Sequence, residues 1–282
     1  MTHIEDKDIV EAEIAIVLTD IIGSTKFVEK NGNRFAAKWF KVHDRYCISQ
    51  ITKHNGVLCD ASDGFLMYFG TVQDAIAFSI DYKRALKKHK FPFKSRVGIH
   101  WDTMLIVKTP ENLVRANHKR ISLEGIGKNI AARTMSICAD NQILISYNAY
   151  QKYKQRTSSH RMIPNNTLIA CVGLYSFKGV KNPEQIYAIG FEQAHLQPPP
   201  DGEKAKRIAG KNKIKTRLRN KKIKELILWF LNKLCFLSVV YTLIILAPFL
   251  ANSEAKKFWG VDFAVFKPFE YIKALYLFVI GG

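Results

Sequence analysis

Residues Ile14 to Thr25 read IAIVLTDIIGST, and this stretch decides the fold. Ile14–Thr19 is a short apolar run rich in branched side chains, the pattern of a buried strand. Asp20 ends the run, and Ile22-Gly23-Ser24-Thr25 carries the chain through a glycine turn into a helix. A carboxylate is thereby set at a strand end beside the first amides of a helix. The dipole and unpaired N–H groups of such a helix start favour phosphate. Taken alone, Asp20 reads as a helix cap.

Outward from this stretch the elements alternate. A longer helix is expected from Asn33 to about His54, because Phe35, Trp39, Phe40, Tyr46, Cys47 and Ile51 recur near helical period. Val57–Ala61 and Phe65–Phe69 form a hairpin turning at Ser62-Asp63-Gly64. An amphipathic helix, Val72–Lys90, precedes strands at Ser95–His100 and Met104–Lys108. Gly125–Ala139 reads as helix, Gln142–Ser146 as strand and Asn148–Lys154 as a short helix. Two β-leaning stretches, Thr167–Val172 and Gln185–Ile189, flank Phe177-Lys178-Gly179. The fold class expected is α+β, with the β-α-β-β-α-β order of a ferredoxin-like split βαβ domain.

A second carboxylate, Asp63, sits at the tip of the expected hairpin, whose strands can lie beside the first. Two carboxylates from neighbouring strands make an all-oxygen site suited to Mg²⁺ or Mn²⁺ on a triphosphate. Two metals there would activate a ribose oxygen and neutralise the departing pyrophosphate. Asn129 and Arg133 lie four apart on one helix and so share a face.

TDIIGST, NGVLCDASDGFLMYF, RVGIH, GKNIAARTMSICADNQILIS and LYSFKGVKNPEQIYAI occur in that order across residues 10–190. Together they resemble the successive blocks of a class III nucleotidyl cyclase domain. The resemblance implies a ferredoxin-like core, a head-to-tail homodimer with shared active sites, and two divalent metal ions, Mn²⁺ or Mg²⁺. It implies conversion of a nucleoside triphosphate to a 3′,5′-cyclic monophosphate plus pyrophosphate. Asp20 and Asp63 match the metal aspartates, and Ile21 would offer its carbonyl to one metal. Ile22, Gly23 and Ser24 match the phosphate-cradling turn, and Lys178 matches a lysine on the triphosphate. Asn129 would orient the ribose and Arg133 would stabilise the transferring phosphoryl group, both from the chain that does not hold the metals. A planar guanidinium suits that role, since it grips two phosphate oxygens at once.

The departures concern the base. Adenylyl cyclases of the family read adenine with a lysine four residues before the second metal aspartate and an aspartate seven before the asparagine. Those positions hold Cys59 and Ser122, and the guanine code of glutamate and cysteine is missing too. Trp101-Asp102 follows RVGIH where small residues are usual. Loss of the purine readers resembles the bacterial pyrimidine cyclases of Pycsar anti-phage systems, which make cCMP or cUMP for a separate effector. CTP or UTP is therefore the expected substrate, with Cys59 and Ser122 as positional candidates for base recognition. The rivals are an adenylyl cyclase with non-standard base recognition and a catalytically silent nucleotide-binding module.

Composition bounds the rest. Residues 1–200 hold 27 Lys+Arg and 18 Asp+Glu, whereas 201–282 hold 16 and 6. More than half of the net +19 thus falls in under a third of the chain, which favours a basic attachment segment over a nucleic-acid binder. The five cysteines are scattered without a C-x-x-C pair, so neither a disulfide framework nor a zinc site is expected. Residues 10–192 are expected to be the catalytic domain and 193–225 a Pro-containing polybasic linker. Residues 226–250 are expected to be a transmembrane helix, and 251–282 a tail with an interfacial segment. The uncharged run Leu234–Leu250 is 17 residues, the lower limit for spanning. Basic residues before it predict a cytoplasmic catalytic domain attached to membrane lipid, with no specific nucleic acid as partner.

Overall fold

The computed structural model describes residues 8–61, 64–115, 118–155, 163–210 and 226–230, with 232, 233, 236 and 238. Its strands are β1 Ile9–Ile22, β2 Val57–Asp60, β3 Phe65–Phe69, β4 Lys94–Lys108 and β5 Ile121–Glu124. β6 Ile143–Ser146, β7 Leu168–Phe177, β8 Glu184–Gly190 and β9 Ala205–Ala209 follow. The helices are α1 Ser24–Asn31, α2 Asn33–Lys53, α3 Val72–Lys88, α4 Glu111–Arg115, α5 Ile126–Ser136 and α6 Tyr147–Lys154.

Among the described residues the strands form one sheet in the order β2-β3-β1-β4-β6-β8-β7-β9, with β5 pairing β4. β1 lies antiparallel to both β3 and β4, and β4 runs parallel to β6. The first four of these strands have the β2-β3-β1-β4 arrangement of a split βαβ unit, as the sequence pattern predicts. The short α5 supplies the crossover between the parallel pair.

Three stretches differ from the sequence expectation. β1 and β4 pair along fourteen registers, from Ile9↔Val107 to Ile22↔Lys94. The two strands expected either side of Trp101-Asp102 are therefore one. The polar residues there read as a break, but a ladder partner on β1 carries the strand through them. α4 and β5, between Thr109 and Glu124, were not expected. The third difference concerns the start of the expected linker, which is folded. Gln193–Leu196 makes a 3-10 turn, Tyr175 Oη donates to Pro199 O at 3.3 Å, and β9 pairs with β7.

The sheet has two unlike faces. α2 and α3 close one over Val17, Phe69, Phe78, Tyr82 and Ile99, all fully buried in one apolar core with Ala149 of α6. Each such side chain stabilises the fold by roughly 1.5–3 kcal/mol. Thr71 caps α3, accepting from the Asp74 amide at 3.0 Å while its hydroxyl donates to the Asp74 carboxylate at 2.7 Å. α5 lies over the opposite face, on a smaller core of Ile14, Ile16, Met104, Leu123 and Ala131. Leu18, Leu66, Tyr68, Ile106 and Ile121 pack against that core but stay half-buried.

The chain divides into two units, residues 1–214 and 215–282. In the second, Leu226–Phe230 are helical and each is more than half exposed, an apolar surface on every side of the turn. No helix among the described residues is long and apolar enough to cross a membrane. Residues 211–225 and 239–282, which carry most of the expected basic and spanning segments, lie outside the described residues.

Candidate active site

Side chains alternate along a strand, so Asp20 shares the α5 face with Ile14, Ile16 and Leu18. Its register partner on β4 is Arg96. Arg96 donates to Asp20 Oδ2 from Nε at 2.9 Å and from Nη2 at 2.5 Å, and its Nη1 donates to Ser136 O at the end of α5 at 3.2 Å. The guanidinium thus ties the end of β1, β4 and the C-terminus of α5 together. It is the only described partner of Asp20 and engages one carboxylate oxygen, leaving Oδ1 open. Sequence reasoning missed Arg96. The RVGIH block contained it, but only the register reveals what it grips.

Asp20 opens on a cleft of about 310 Å³ lined by Ile21, Ser24, His43, Asp44, Ala61 and Gly64, among others. α1 starts at this cleft. Gly23 caps it with a left-handed φ of 74°, no side chain caps the helix, and no acidic residue occupies its first turn. The opening amides of α1 thus have no side-chain cap, and Ser24 lines the cleft. On the far wall Gly64 has φ +156°, and a Cβ there would collide with Thr19 O. Only glycine lets this loop lie against the backbone next to Asp20. Asp63, its neighbour and the second expected metal ligand, lies outside the described residues.

His43 and Asp44 enter the cleft from α2 and were also missed. His43 is buried, its Nε2 2.7 Å from Tyr82 Oη and its Nδ1 3.1 Å from Asp44 Oδ1. Burial lowers its pKa, opposed by Asp44, so the neutral ring is favoured. In sequence it looks like one more polar residue on an amphipathic helix.

The described donors are carboxylate and carbonyl oxygens: Asp20 Oδ1, the Ile21 carbonyl and Asp44. That chemistry fits a hard divalent cation. No group of three or more His, Cys, Asp or Glu placed to hold a metal occurs among the described residues.

Asn129 and Arg133 project from α5, Asn129 exposed and Arg133 half-buried. Arg133 Nε donates to Lys178 O at 3.4 Å, so the structure groups Arg133 with the Lys178 loop. None of the three lines the Asp20 cleft. Asn129 stands seven residues up the helix from Ser136, about 10 Å of axial rise from the point that Arg96 holds. Arg133 is only one turn from that point, with Ser136 Oγ donating to its carbonyl at 2.8 Å, but its guanidinium turns to the Lys178 loop.

The two positional candidates for base recognition are also separated. Cys59 sits in the α5-face core with Leu123, and burial pushes its thiol up to about 12. Ser122 pairs with Val107, and by strand alternation it points to the opposite face from Leu123. The side chain near Cys59 is instead Lys128, whose ammonium pulls on the thiol's titration. Its Nζ donates to Leu123 O at 2.8 Å. Lys119 pairs with Asp60 at the same edge. Asp102 also finds a place. A Cβ on Gly127 would come within 2.9 Å of Asp102 Cβ and Oδ2, so the larger residue on β4 is matched by a missing side chain on α5. Its carboxylate lies at the first turn of that helix, where the dipole favours it. Its pKa is lowered, chiefly by the neighbouring His100 ring, whose Nε2 lies 3.6 Å from Oδ2.

The fold is that of adenylyl and guanylyl cyclase catalytic domains. The adenylyl cyclase CyaB of P. aeruginosa superposes with a TM-score of 0.55 at 18% identity, over 67% of this chain and 98% of that one. The catalytic core of a rhodopsin-guanylyl cyclase with converted specificity, in complex with ATPαS, gives 0.53 at 16%, over 64% and 98%. The non-canonical dimeric guanylyl cyclase domain of the RhoGC fusion protein of Blastocladiella emersonii gives 0.51 at 16%, over 64% and 97%. At these identities the likeness establishes the fold. No family model and no curated protein sequence matches the chain.

Proposed function

We propose that this chain is a nucleotidyl cyclase that works as a head-to-tail homodimer and takes a pyrimidine nucleoside triphosphate, CTP or UTP. The observation that carries the reading is the division of the site. Asp20 lies at the end of β1 beside an uncapped helix start. Arg133 and Lys178 meet on another surface, and Asn129 lies one turn before Arg133 on α5. Each half is suited to one part of a nucleotide, and the half-buried apolar strip on the α5 face gives two copies a surface on which to join the halves. One solved domain of this fold is described as a non-canonical dimer, which supports pairing of two copies but not one particular arrangement of them.

Asp20, the Ile21 carbonyl and Asp63 would hold two divalent ions, Mn²⁺ or Mg²⁺. When bound, these supply positive charge to the triphosphate and acidify the attacking hydroxyl. The chain's own groups do the rest. The α1 amides and Ser24 bind the terminal phosphates, and Lys178 of the partner chain adds charge. Asn129 orients the ribose, and Arg133 lies where charge builds on the transferring phosphoryl group. Arg96 fixes the aim of the Asp20 carboxylate.

The pyrimidine preference rests on the base edge. Cys59 is a neutral, small, buried thiol, and Ser122 is turned away from it, so neither purine-reading pair is reproduced. That base choice is separable from the fold is supported by a cyclase core of converted specificity among the similar structures. The exposed apolar helix at Leu226–Phe230, following the basic run, supports attachment to the membrane through the C-terminal unit. A product made there would act through a separate effector, as in anti-phage signalling.

The test is incubation of the full chain with each of the four NTPs and Mn²⁺, followed by mass analysis of the products. Cyclic CMP or UMP is expected. Cyclic AMP alone would remove the pyrimidine assignment and leave the cyclase. No cyclic product from any NTP would make the fold a silent module.

A further inference from the structure

A second cleft, of about 700 Å³, opens at the edge of the closed face, and none of its lining residues belongs to the Asp20 cleft. Its volume falls in the range of small-molecule sites, roughly 300–1,000 Å³. The floor is apolar, formed by Ile80, Phe91, Phe93, Ile143 and Ile189. The polar lining is strongly one-signed: Lys83, Arg84, Lys87 and Lys94 against the single carboxylate of Glu192.

The cations differ in how far they are already used. Lys94 is paired with Asp140 at 2.6 Å. Arg84 lies 4.7 Å over the Phe191 ring and 3.8 Å from Asp81. Lys87 is exposed and forms no ion pair among the described residues. Lys83 is the unusual one. Its stem is half-exposed, but its ammonium is enclosed by protein and donates to Ser95 O and, at 2.8 Å, to Ser95 Oγ. Both partners are neutral, and among the described residues no carboxylate stands within ion-pair distance, Asp140 acting only from farther off. Burial pushes its pKa down to about 7. An enclosed ammonium without a counter-ion is costly, and an anion in the cleft would relieve it.

We propose that this cleft is a second ligand site, for a small amphiphilic acid. The apolar body lies on Phe91, Phe93 and Ile189, and its single carboxylate sits between Lys83 and Lys87. The chemistry follows from the lining: an apolar floor large enough for an aromatic or short acyl group, with cations gathered on one side. The site also touches the candidate active site through adjacent residues. Lys83 grips Ser95, whose neighbour Arg96 holds Asp20, and Tyr82 beside Lys83 contacts His43.

The experiment is calorimetric titration of the full chain with 3-phenylpropionate and with the neutral 3-phenylpropanol. The acid should bind one per chain and the alcohol at least about tenfold more weakly, a difference of one lost charge-assisted contact. Lys87→Glu and Lys83→Met should each weaken the acid about tenfold or more and leave the alcohol unchanged. Equal affinity for acid and alcohol overturns the proposal, as does absence of binding by the acid at millimolar concentration. Lys87 is an exposed rim residue whose replacement leaves the core intact, so unchanged acid affinity in Lys87→Glu overturns it too. None of these readouts depends on cyclase activity.

Discussion

The two faces of the sheet are finished to different degrees. The α2/α3 face is complete in one chain: Phe69, Phe78, Tyr82 and Ile99 have no exposure at all, and rings stack along α3, with Phe78 on Tyr82 at 5.7 Å. The α5 face is not. One short helix covers its centre, and Leu18, Leu66, Tyr68, Ile106 and Ile121 remain half-buried around it. Four of the side chains proposed for chemistry, Asp20, Arg96, Asn129 and Arg133, belong to this unfinished side. Stability and function are thus divided between faces, and mutations should sort accordingly.

The largest expected effect is on the unfinished side and on rate alone. Asp20→Asn keeps size and removes the charge that Arg96 and a metal would share. Cyclase activity should fall by about 10²–10³-fold or more, the scale seen when one preorganised charge contact is deleted. The urea midpoint should move little, because Asp20 is partly exposed. Product formation and unfolding measured on the same preparation decide it. A large loss of stability would show that Asp20 is chiefly a structural anchor for Arg96.

On the closed side the signs reverse. Phe78→Ala should cost roughly 3–5 kcal/mol, enough to threaten folding of the domain. Ile106→Arg, at a half-buried position on the α5 face, should leave the urea midpoint of the isolated chain within about 0.5 kcal/mol. It should nonetheless disperse dimers in sedimentation, because an unpaired charge in an apolar contact costs far more than the lost area. A monomeric wild type, or a dimer indifferent to Ile106→Arg, would locate self-association elsewhere.

A smaller recovery tests the sharing of sites. Asp20→Asn and Arg133→Ala, each inactive alone, should regain about a quarter of wild-type activity when mixed in equal amounts. Half of the dimers are then mixed, and each of those has one intact site. No recovery would mean that a single chain supplies both halves.

The order of strands and the Asp20 turn were legible because each depends on local pattern. IAIVLT is apolar and branched, GST starts a helix, and alternation does the rest. What the sequence hid was pairing. Arg96 could be named as part of a block, but its grip on Asp20 follows from the β1/β4 register, which no local pattern encodes. His43 looked like a polar residue on a helix, and only the approach of α3 gives it Tyr82. Ser122 was matched to a base reader by its spacing from Asn129. Spacing does not say which face a strand residue takes, and pairing with Val107 turns it away from Cys59. β9 was hidden for another reason. Its Lys206 and Arg207 are edge-strand charges that also read as the start of a solvated basic run.

The smallest effect tests how complete the closed face is, because that face contains one costly group. Lys83 has a folded pKa near 7 against an ordinary 10.5. Between those values the unfolded chain binds more protons than the folded one, so folded stability should rise with pH across that window. Below 7 the full penalty applies, and above 10.5 it is gone. Because the stem is half-exposed, solvent trims the gain to the order of 1 kcal/mol. The urea midpoint should therefore climb between pH 7 and pH 10 more steeply in wild type than in Lys83→Met, where the titrating group is absent. Saturating the cleft with a small acid should flatten the wild-type slope, since the bound carboxylate keeps the lysine charged. Parallel profiles for wild type and Lys83→Met would mean that the Lys83 ammonium is solvated, and that the closed face is as complete at its edge as at its centre.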